Sequence, residues 1–173
     1  MDASAVVIRP YETRDQAAVR ALFIAVNRGL APPEFREAFE AYIARSLTDE
    51  IDRVPDYYAA HGGAFWVAVE GDDLVGMFGI ERVDETSAEL RRMYVADQAR
   101  RRGIAQRMLV FAEATCRAAG YRTLTLSTSE VQHAALAFYR GAGYRLLREE
   151  VAAAQTHKTV GGDIRRYYFD KAL

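Results

Sequence analysis

The chain has 173 residues, of which half are hydrophobic and 27% are charged, a composition typical of one globular domain with an apolar core. Its 23 Lys and Arg residues nearly balance its 24 Asp and Glu residues, and this net charge of −1 argues against a general nucleic-acid or membrane-surface binder. The single Cys116 excludes an intramolecular disulfide, and no apolar run reaches the roughly 18–20 residues that cross a bilayer. We therefore expect a cytoplasmic protein without a membrane partner.

Hydrophobic periodicity and turn residues predict strands and helices along the whole chain. A capping-box spacing from Thr13 to Gln16 opens the first predicted helix, and Gly29 is expected to end it. In chain order the predicted elements are a strand at 6–9, helical stretches at 16–29 and 33–60, strands at 65–69, 74–80 and 88–95, a helix at 103–119, a strand at 123–126, a helix at 134–140, and strands at 144–147 and 164–170.

This order of elements predicts a mixed sheet. Helix, strand and helix in succession require a crossover between parallel strands, whereas the hairpin at residues 71–73 requires antiparallel pairing. We expect residues 1–173 to form one α/β (α+β mixed) domain, with about seven strands and helices on both faces of the sheet. The histidines, His61, His133 and His157, lie far apart with neither HExxH nor CxxC, so no metal site is expected.

The start of the helix at residue 103 is the most informative position for chemistry. Gly103 follows three arginines, and the first helical turn contains no carboxylate. Because the first N–H groups of a helix are unpaired and its dipole is positive there, this position suits a phosphate group. A P-loop and a dinucleotide fingerprint are both absent. The alternative is an ordinary helix start with a solvated arginine run.

Two motifs together resemble the GNAT N-acetyltransferase superfamily. Arg100-Arg101-Arg102-Gly103-Ile104-Ala105 fits the acyl-CoA signature [Q/R]-x-x-G-x-[G/A]. A second segment, from Gln132 through Ala135, Phe138 and Tyr139 to Gly143-Tyr144, is similar to the later superfamily motif, although Gln132 stands where that motif has Asn. The resemblance covers about residues 65–147. Residues 52–58, 65–68, 129–135 and 164–169 also resemble the Camello-like branch, without its membrane-inserting segment.

The resemblance implies acetyl-CoA as co-substrate and no metal. The pyrophosphate is expected at the loop and helix start, the pantetheine arm along the end of the strand at 88–95, and a main-chain N–H near Val95 against the thioester carbonyl. The acyl-CoA-binding residues implied in this way are Met93, Tyr94, Val95, Arg100, Arg101, Arg102, Gly103, Ile104, Ala105, Gln106, Gln132 and Phe138. For Phe138, its helical spacing leaves a core position as the alternative.

Two residues are candidates for acid–base catalysis. Glu89 lies on the strand before the acyl-CoA loop and is our candidate general base, with Glu81 in reserve; pairing with Arg91 is the structural alternative. Strand alternation is expected to place Glu89, Arg91, Met93 and Val95 on one face. Tyr139 matches the tyrosine that the family places near the sulfur of CoA, where it protonates or hydrogen-bonds the leaving thiolate.

The function expected from this resemblance is direct acetyl transfer from acetyl-CoA to a primary amine of a small molecule. The alternatives are acetylation of protein lysines or N-termini, which requires an open groove for an extended peptide, and a non-catalytic acyl-CoA sensor. Residues 152–163 and the helical stretch 33–60 decide whether such a groove is open. Members of the superfamily often dimerise through their closing strands, so a homodimer is a further option.

Overall fold

A seven-stranded sheet runs through the computed structural model, which describes residues 5–173. The strands are β1 (Val7–Pro10), β2 (Ala64–Glu70), β3 (Asp73–Arg82), β4 (Ser87–Val95), β5 (Thr123–Ser129), β6 (Arg145–Ala152) and β7 (Ile164–Ala172). The helices are α1 (Gln16–Leu30), α2 (Arg36–Asp49), α3 (Val54–Ala60), α4 (Ile104–Ala118) and α5 (His133–Gly141). The predicted order of elements is confirmed.

The strands lie side by side in the order β1-β2-β3-β4-β5-β7-β6. Every neighbouring pair is antiparallel except β4 and β5, which are parallel and are joined by a crossover through α4. This confirms the predicted mixed sheet. The parallel pair is short, extending from Ser87↔Thr123 to Glu89↔Thr125, although both strands continue beyond it.

Helices cover both faces of the sheet, and two glycines in β3 let them approach closely. A Cβ added to Gly76 would lie 3.0 Å from the sulfur of Met108 in α4, and one added to Gly79 would lie 2.5 Å from the ring of Tyr58 in α3. Because residues three apart on a strand point to opposite faces, α4 packs on one face and α3 on the other. Phe23 of α1 packs near Tyr94 on the α3 face.

Several predicted boundaries differ from the observed ones, and three of these differences have a clear physical reason. The backbone N–H of Glu12 donates to the carboxylate of Asp15 at 2.8 Å, so the capping pair is Glu12/Asp15 and not Thr13/Gln16. The stretch 33–60 is interrupted by a short turn at Ile51–Arg53, because Pro55 in the first turn of α3 fits a helix start and not a helix interior. Strand β6 extends to Ala152, because an exposed edge strand carries little apolar alternation to mark its end.

Candidate active site

A bulge in β4 sets the direction of the side chains around the site. Gly79 pairs with Arg91 and Met77 pairs with Tyr94, so β4 has one residue more than β3 in this interval, and Arg92 adopts a φ of 55°. The bulge reverses the alternation of side chains that follow it.

The predicted common face of Glu89, Arg91, Met93 and Val95 is therefore wrong beyond Arg91. Glu89 lies opposite Glu81, on the α3 face, whereas Val95 lies opposite Gly76, on the α4 face. Arg92 instead joins Arg91 on the α3 face, where both guanidinium groups contact Glu50.

A buried ion network fills the space between β4 and helices α2 and α3. Glu50 is fully buried and accepts hydrogen bonds from Arg91 Nη2 at 2.7 Å, Arg92 Nε at 2.8 Å and the hydroxyl of Tyr58 at 3.1 Å. Burial opposes ionisation of Glu50, but the charges of Arg92 and Arg91 outweigh it and lower its pKa to about 2. Arg91 is thus held by Glu50, whereas the alternative drawn from the sequence paired Arg91 with Glu89, which lies 3.6 Å from Arg91 Nε.

Glu81, the reserve candidate for the general base, belongs to the same network. Its carboxylate accepts hydrogen bonds from Arg91 and from the hydroxyl of Tyr57 at 2.8 Å, and Lys158 Nζ lies 3.1 Å away. Burial opposes its ionisation, but the charges of Arg91 and Lys158 keep its pKa below the usual range. A carboxylate so stabilised and only 3% exposed is poorly placed to receive a proton from a substrate.

Glu89 is more accessible than Glu81. Its side chain is 26% exposed, and its nearest cationic atoms are Arg91 Nε at 3.6 Å and Lys158 Nζ at 3.8 Å. Both distances exceed that of an ordinary hydrogen bond, so its oxygens remain available to another donor. The structure therefore favours Glu89 over Glu81 as a group that can meet a substrate amine.

A cleft opens in the sheet where β4 and β5 diverge after Glu89. The cleft is lined by both catalytic candidates, Glu89 and Tyr139, together with Met93, Tyr94 and Gln132 from the predicted acyl-CoA set. Beyond Glu89 no residue of β5 pairs with β4, so one edge of β4 can accept an extended partner in the manner of an added strand. Val95, Phe138 and residues 100–106 are not among the lining residues.

Tyr139 lies on α5 and is nearly buried, with its ring 5.7 Å from that of Tyr144. Burial, with a smaller contribution from Tyr94, raises its pKa well above the usual range, so the phenol keeps its proton. Among residues 5–173 its hydroxyl makes no hydrogen bond, and no fully buried side-chain oxygen in these residues lacks a partner, so the hydroxyl reaches the cleft that Tyr139 lines and can donate its proton there. Phe138 packs edge-on against Tyr139 at 5.2 Å, as expected of a supporting aromatic residue.

Gln132 precedes α5 and closes the turn that follows β5. Its side-chain oxygen accepts hydrogen bonds from Thr128 Oγ1 at 2.7 Å and from the backbone N–H of Ser129 at 3.2 Å. Its oxygen is therefore engaged by the turn, and its amide nitrogen is the part that remains to donate to a ligand. The longer side chain compared with the family's Asn is compatible with the predicted contact.

The start of α4 has the features that the sequence predicts for an anion site. No side chain caps the helix and its first turn is free of acidic residues. Arg101 and Gly103 have φ values of 59° and 76°, which make the preceding loop tight. Arg102 is paired with Glu70, and Arg100 lies 3.6 Å from Asp97. Arg101 forms no ion pair within the described part of the chain.

The loop at residues 153–163, which we call the strap, packs against α2. Arg45 donates to the carbonyl oxygen of Gln155 at 3.2 Å, and Ser46 donates to that of His157, also at 3.2 Å. Lys158 and Val160 of the strap line the cleft. The strap thus covers the side of the cleft formed by α2; the sequence identified residues 152–163 as a segment that could cover the groove but did not decide whether it does.

Three further observations on residues 5–173 concern the thiol, metal-ligating side chains and helix length. Cys116 is buried, and burial raises the pKa of its thiol to about 11, so it is a poor nucleophile. Within the described residues, His, Cys, Asp and Glu form no group of three that could hold a metal ion. In the same part of the chain, no helix is long and apolar enough to span a membrane.

Comparison with known sequences points to one protein family. The model of the acetyltransferase (GNAT) family matches residues 31–144. Mouse N-acetyltransferase 8F1 is 31% identical over 116 residues, which are 64% of this chain and 52% of that protein, so the chain spans about half the length of the curated relatives it matches.

Among solved structures, a GNAT family acetyltransferase from Staphylococcus aureus superposes with a TM-score of 0.75 at 19% identity, covering 98% of this chain and 99% of that one. A GNAT family acetyltransferase from Elizabethkingia anophelis, solved with acetyl-CoA bound, gives a TM-score of 0.63 at 14% identity and covers both chains completely. At these identities the two structures support the fold alone.

Proposed function

Because the chain belongs to the acetyltransferase (GNAT) family, we propose that it transfers the acetyl group of acetyl-CoA directly to a primary amine of a small molecule. The observation that carries this proposal is that Glu89 and Tyr139, which lie on different elements, line the same cleft. A proton acceptor and a proton donor at one cleft are what aminolysis of a thioester requires.

The residues at the start of α4 fit the phosphates of acetyl-CoA. The helix offers uncapped N–H groups with no competing carboxylate in its first turn, and Arg101 adds a cation without an internal partner among the described residues. Met93, Tyr94 and Gln132 would contact the pantetheine arm where β4 lacks a neighbouring strand. Acetyl-CoA supplies the acyl thioester. The new C–N bond forms at its carbonyl carbon as the C–S bond to CoA breaks.

Glu89 receives the proton that the amine must lose. An alkyl ammonium group has a pKa of about 10, so it must be deprotonated before its nitrogen can attack a carbonyl carbon. The carboxylate of Glu89 faces the cleft and keeps free hydrogen-bonding capacity, so it can take this proton directly or through a water molecule. The deprotonated nitrogen then carries the acetyl group.

Tyr139 stabilises the leaving sulfur. A thiol has a pKa of about 8.5, well below that of the buried phenol, so complete transfer of the phenolic proton to the thiolate is uphill. Donation of a hydrogen bond from the hydroxyl of Tyr139 to the developing thiolate is the role that this difference favours. The thiolate can then gain its proton from solvent after the acetyl group has left.

The position of the strap favours a small molecule over a peptide as the acetyl acceptor. It is hydrogen-bonded to α2, and Lys158 and Val160 occupy the wall of the cleft on that side. An extended peptide needs an open groove along which several residues can lie. A small amine needs only access to Glu89.

The test is CoA release from acetyl-CoA by the purified chain with amino acids, polyamines, aminoglycosides and short peptides, with the products identified by mass spectrometry. We expect turnover on a small amine. Glu89→Gln should lower kcat by about 100-fold or more, the usual contribution of a general base, while Glu149→Gln on the exposed strand β6 should not. Tyr139→Phe should lower kcat roughly 10–100-fold, and Tyr144→Phe serves as its buried control.

Other outcomes would replace the proposal. Turnover on peptides but on no small amine would make the chain a protein acetyltransferase. Acetyl-CoA binding, seen as a raised melting temperature, without turnover on any acceptor would make it an acyl-CoA sensor.

A further inference from the structure

Two carboxylates lie opposite each other on neighbouring strands, and one of them, Glu89, lines the cleft. Glu81 of β3 and Glu89 of β4 are direct cross-strand partners, so their side chains leave the same face of the sheet. Like charges in this position destabilise a strand pair unless a cation lies between them. Lys158 supplies one, since its Nζ is 3.1 Å from a Glu81 oxygen and 3.8 Å from a Glu89 oxygen.

The other cation near the pair is already engaged elsewhere. Arg91 donates through Nη1 to Glu81 and through Nη2 to Glu50, and only its Nε faces Glu89, at 3.6 Å. It is 6% exposed, whereas the side chain of Lys158 is 40% exposed and reaches the pair from the strap. Lys158 is therefore the cation that arrives from a separate segment of the chain.

The remaining groups around the pair come from α3 and the strap. Tyr57 donates to Glu81 at 2.8 Å, and His61 Nε2 lies 4.0 Å from the same carboxylate. His157, next to Lys158, places its Nε2 3.1 Å from the Tyr57 hydroxyl. Burial, reinforced by the nearby Arg91 charge, lowers the pKa of His157, so this ring adds no cation at neutral pH.

The backbone of the strap fixes the position from which Lys158 extends. The carbonyl oxygen of His157 accepts hydrogen bonds from Ser46 of α2 and from the buried Arg92. The N–H of Lys158 itself donates to Thr156 Oγ1 at 3.0 Å. The side chain of Lys158 thus starts from a segment anchored on both α2 and β4.

We propose that Lys158 is a positioning residue that bridges Glu81 and Glu89 and holds Glu89 as a carboxylate aimed into the cleft, so that the strap completes the acetyl-transfer site. This inference rests on the proposed role of Glu89 as the proton acceptor. Without the lysine, two opposed carboxylates share less positive charge, and one of them takes up a proton at higher pH than before. At pH values where the pair holds that proton, the site lacks a free base.

The chain offers matched variants to test this, because Lys158 and Lys171 are its only lysines. Lys171 also pairs with a buried carboxylate, that of Glu113 at 3.0 Å, but on strand β7 outside the cleft. We would measure the pH profile of kcat/KM for the best small amine with Lys158→Met, Lys158→Arg and Lys171→Met. Melting temperature and the Kd for acetyl-CoA would be measured alongside.

For Lys158→Met we expect the acidic limb of the kcat/KM profile to move up by about one pH unit, so that kcat/KM falls up to about tenfold at pH values on that limb, with the Kd for acetyl-CoA unchanged. Lys158→Arg should restore most of the activity, and Lys171→Met should behave as the unmodified chain. An unchanged pH profile in Lys158→Met, or a loss in Lys158→Arg as large as in Lys158→Met, would overturn the proposal.

A second measurement does not depend on turnover. In the protein labelled with ¹³C at the glutamate carboxyl carbons, a titration followed by NMR should show one carboxyl group that titrates at higher pH in Lys158→Met than in Lys171→Met. Absence of this change would overturn the bridging role even if the enzyme is active. If the change is seen but Glu89→Gln retains full turnover, the bridge exists and the proposed role of Glu89 is what fails.

Discussion

Two arginine-rich segments lie nine residues apart in the chain, and the fold uses them differently. Residues 91–92 are buried on the bulged strand β4, where both guanidinium groups are paired with Glu50. Residues 100–102 are exposed in the tight loop before α4, where their ion pairs are weak surface contacts and Arg101 has none among residues 5–173. The first segment holds helices α2 and α3 on the sheet, and the second remains available to a ligand.

The difference shows why a run of like charge must be interpreted together with its burial. Removal of a charge from water is costly, so buried arginines require carboxylate partners and those partners become structural. Exposed arginines pay no such cost, and the uncapped helix behind them adds to their attraction for an anion. Four predictions follow from this contrast, in order of decreasing effect.

Loss of the shared carboxylate should destabilise the buried segment most. Glu50→Gln leaves Arg91 and Arg92 in the interior without their common counter-charge, and we expect the free energy of unfolding to fall by about 3–5 kcal/mol. Urea denaturation measures this directly. Glu40→Gln, which removes an exposed partner of Arg28, should leave the denaturation midpoint unchanged. Equal stability of Glu50→Gln and the unmodified chain would show that the network is not structural.

The same network predicts that the folded chain becomes less stable in acid. The pKa of Glu50 is lowered to about 2 in the folded chain, so its stabilising contribution is present above its unfolded pKa of about 4.5 and is lost as the pH falls towards 2. Since each pKa unit corresponds to about 1.4 kcal/mol, the contribution is roughly 3 kcal/mol. Denaturation curves between pH 6 and pH 2.5 should show this loss, and it should be reduced in Glu50→Gln. A parallel decline in both proteins would assign the acid sensitivity to other groups.

In the exposed segment, the tight loop should depend on Gly103. Its φ of 76° favours glycine, and a Cβ would meet open space, so Gly103→Ala tests backbone strain alone. We expect a loss of roughly 1–2 kcal/mol in the free energy of unfolding. The control is Gly29→Ala in α1, also in open space but helical, which should stabilise the chain by about 0.5–1 kcal/mol. Effects of the same sign at both positions would contradict this account of the loop.

The smallest predicted effect is a difference in acetyl-CoA binding between variants of two neighbouring arginines. Arg101→Gln should weaken acetyl-CoA binding by about fivefold at low salt, with a smaller effect at high salt, since this side chain lacks an ion-pair partner in the described chain. Arg102→Gln should have less effect, because Glu70 already engages its guanidinium group. Calorimetric titration with acetyl-CoA at two salt concentrations distinguishes them, and the reverse order would assign the phosphate contact to Arg102.

Much of the fold could be predicted because its signals are local. Short apolar runs mark β2 and β3, alternating apolar residues mark the first half of β4, and helical spacing marks α1, α4 and α5. Glu89, Tyr139 and Gln132 were also predicted as site residues, and the structure brings them to one cleft although they come from β4 and the region of α5.

The parts that escaped prediction depend on contacts between distant residues. Glu50 and Arg91 are 41 positions apart, and nothing near Glu50 in the sequence marks it as the centre of an ion network. Lys158 lies in a polar loop whose docking on α2 is a tertiary contact. One feature of the sequence could have indicated the bulge, because two consecutive arginines interrupt the alternation of apolar and polar residues in β4. The prediction instead continued one face of the strand to Val95.

The most direct test of the central claim is the rate of CoA release with acetyl-CoA and the best small amine, compared between the unmodified chain and Glu89→Gln. Acetyl-CoA affinity should be the same in both proteins, because Glu89 is not one of the residues proposed to bind acetyl-CoA and its ion-pair partners are Arg91 and Lys158. We expect a loss of about 100-fold or more in kcat for Glu89→Gln. Full turnover by Glu89→Gln would contradict it and would require a different proton acceptor in the cleft.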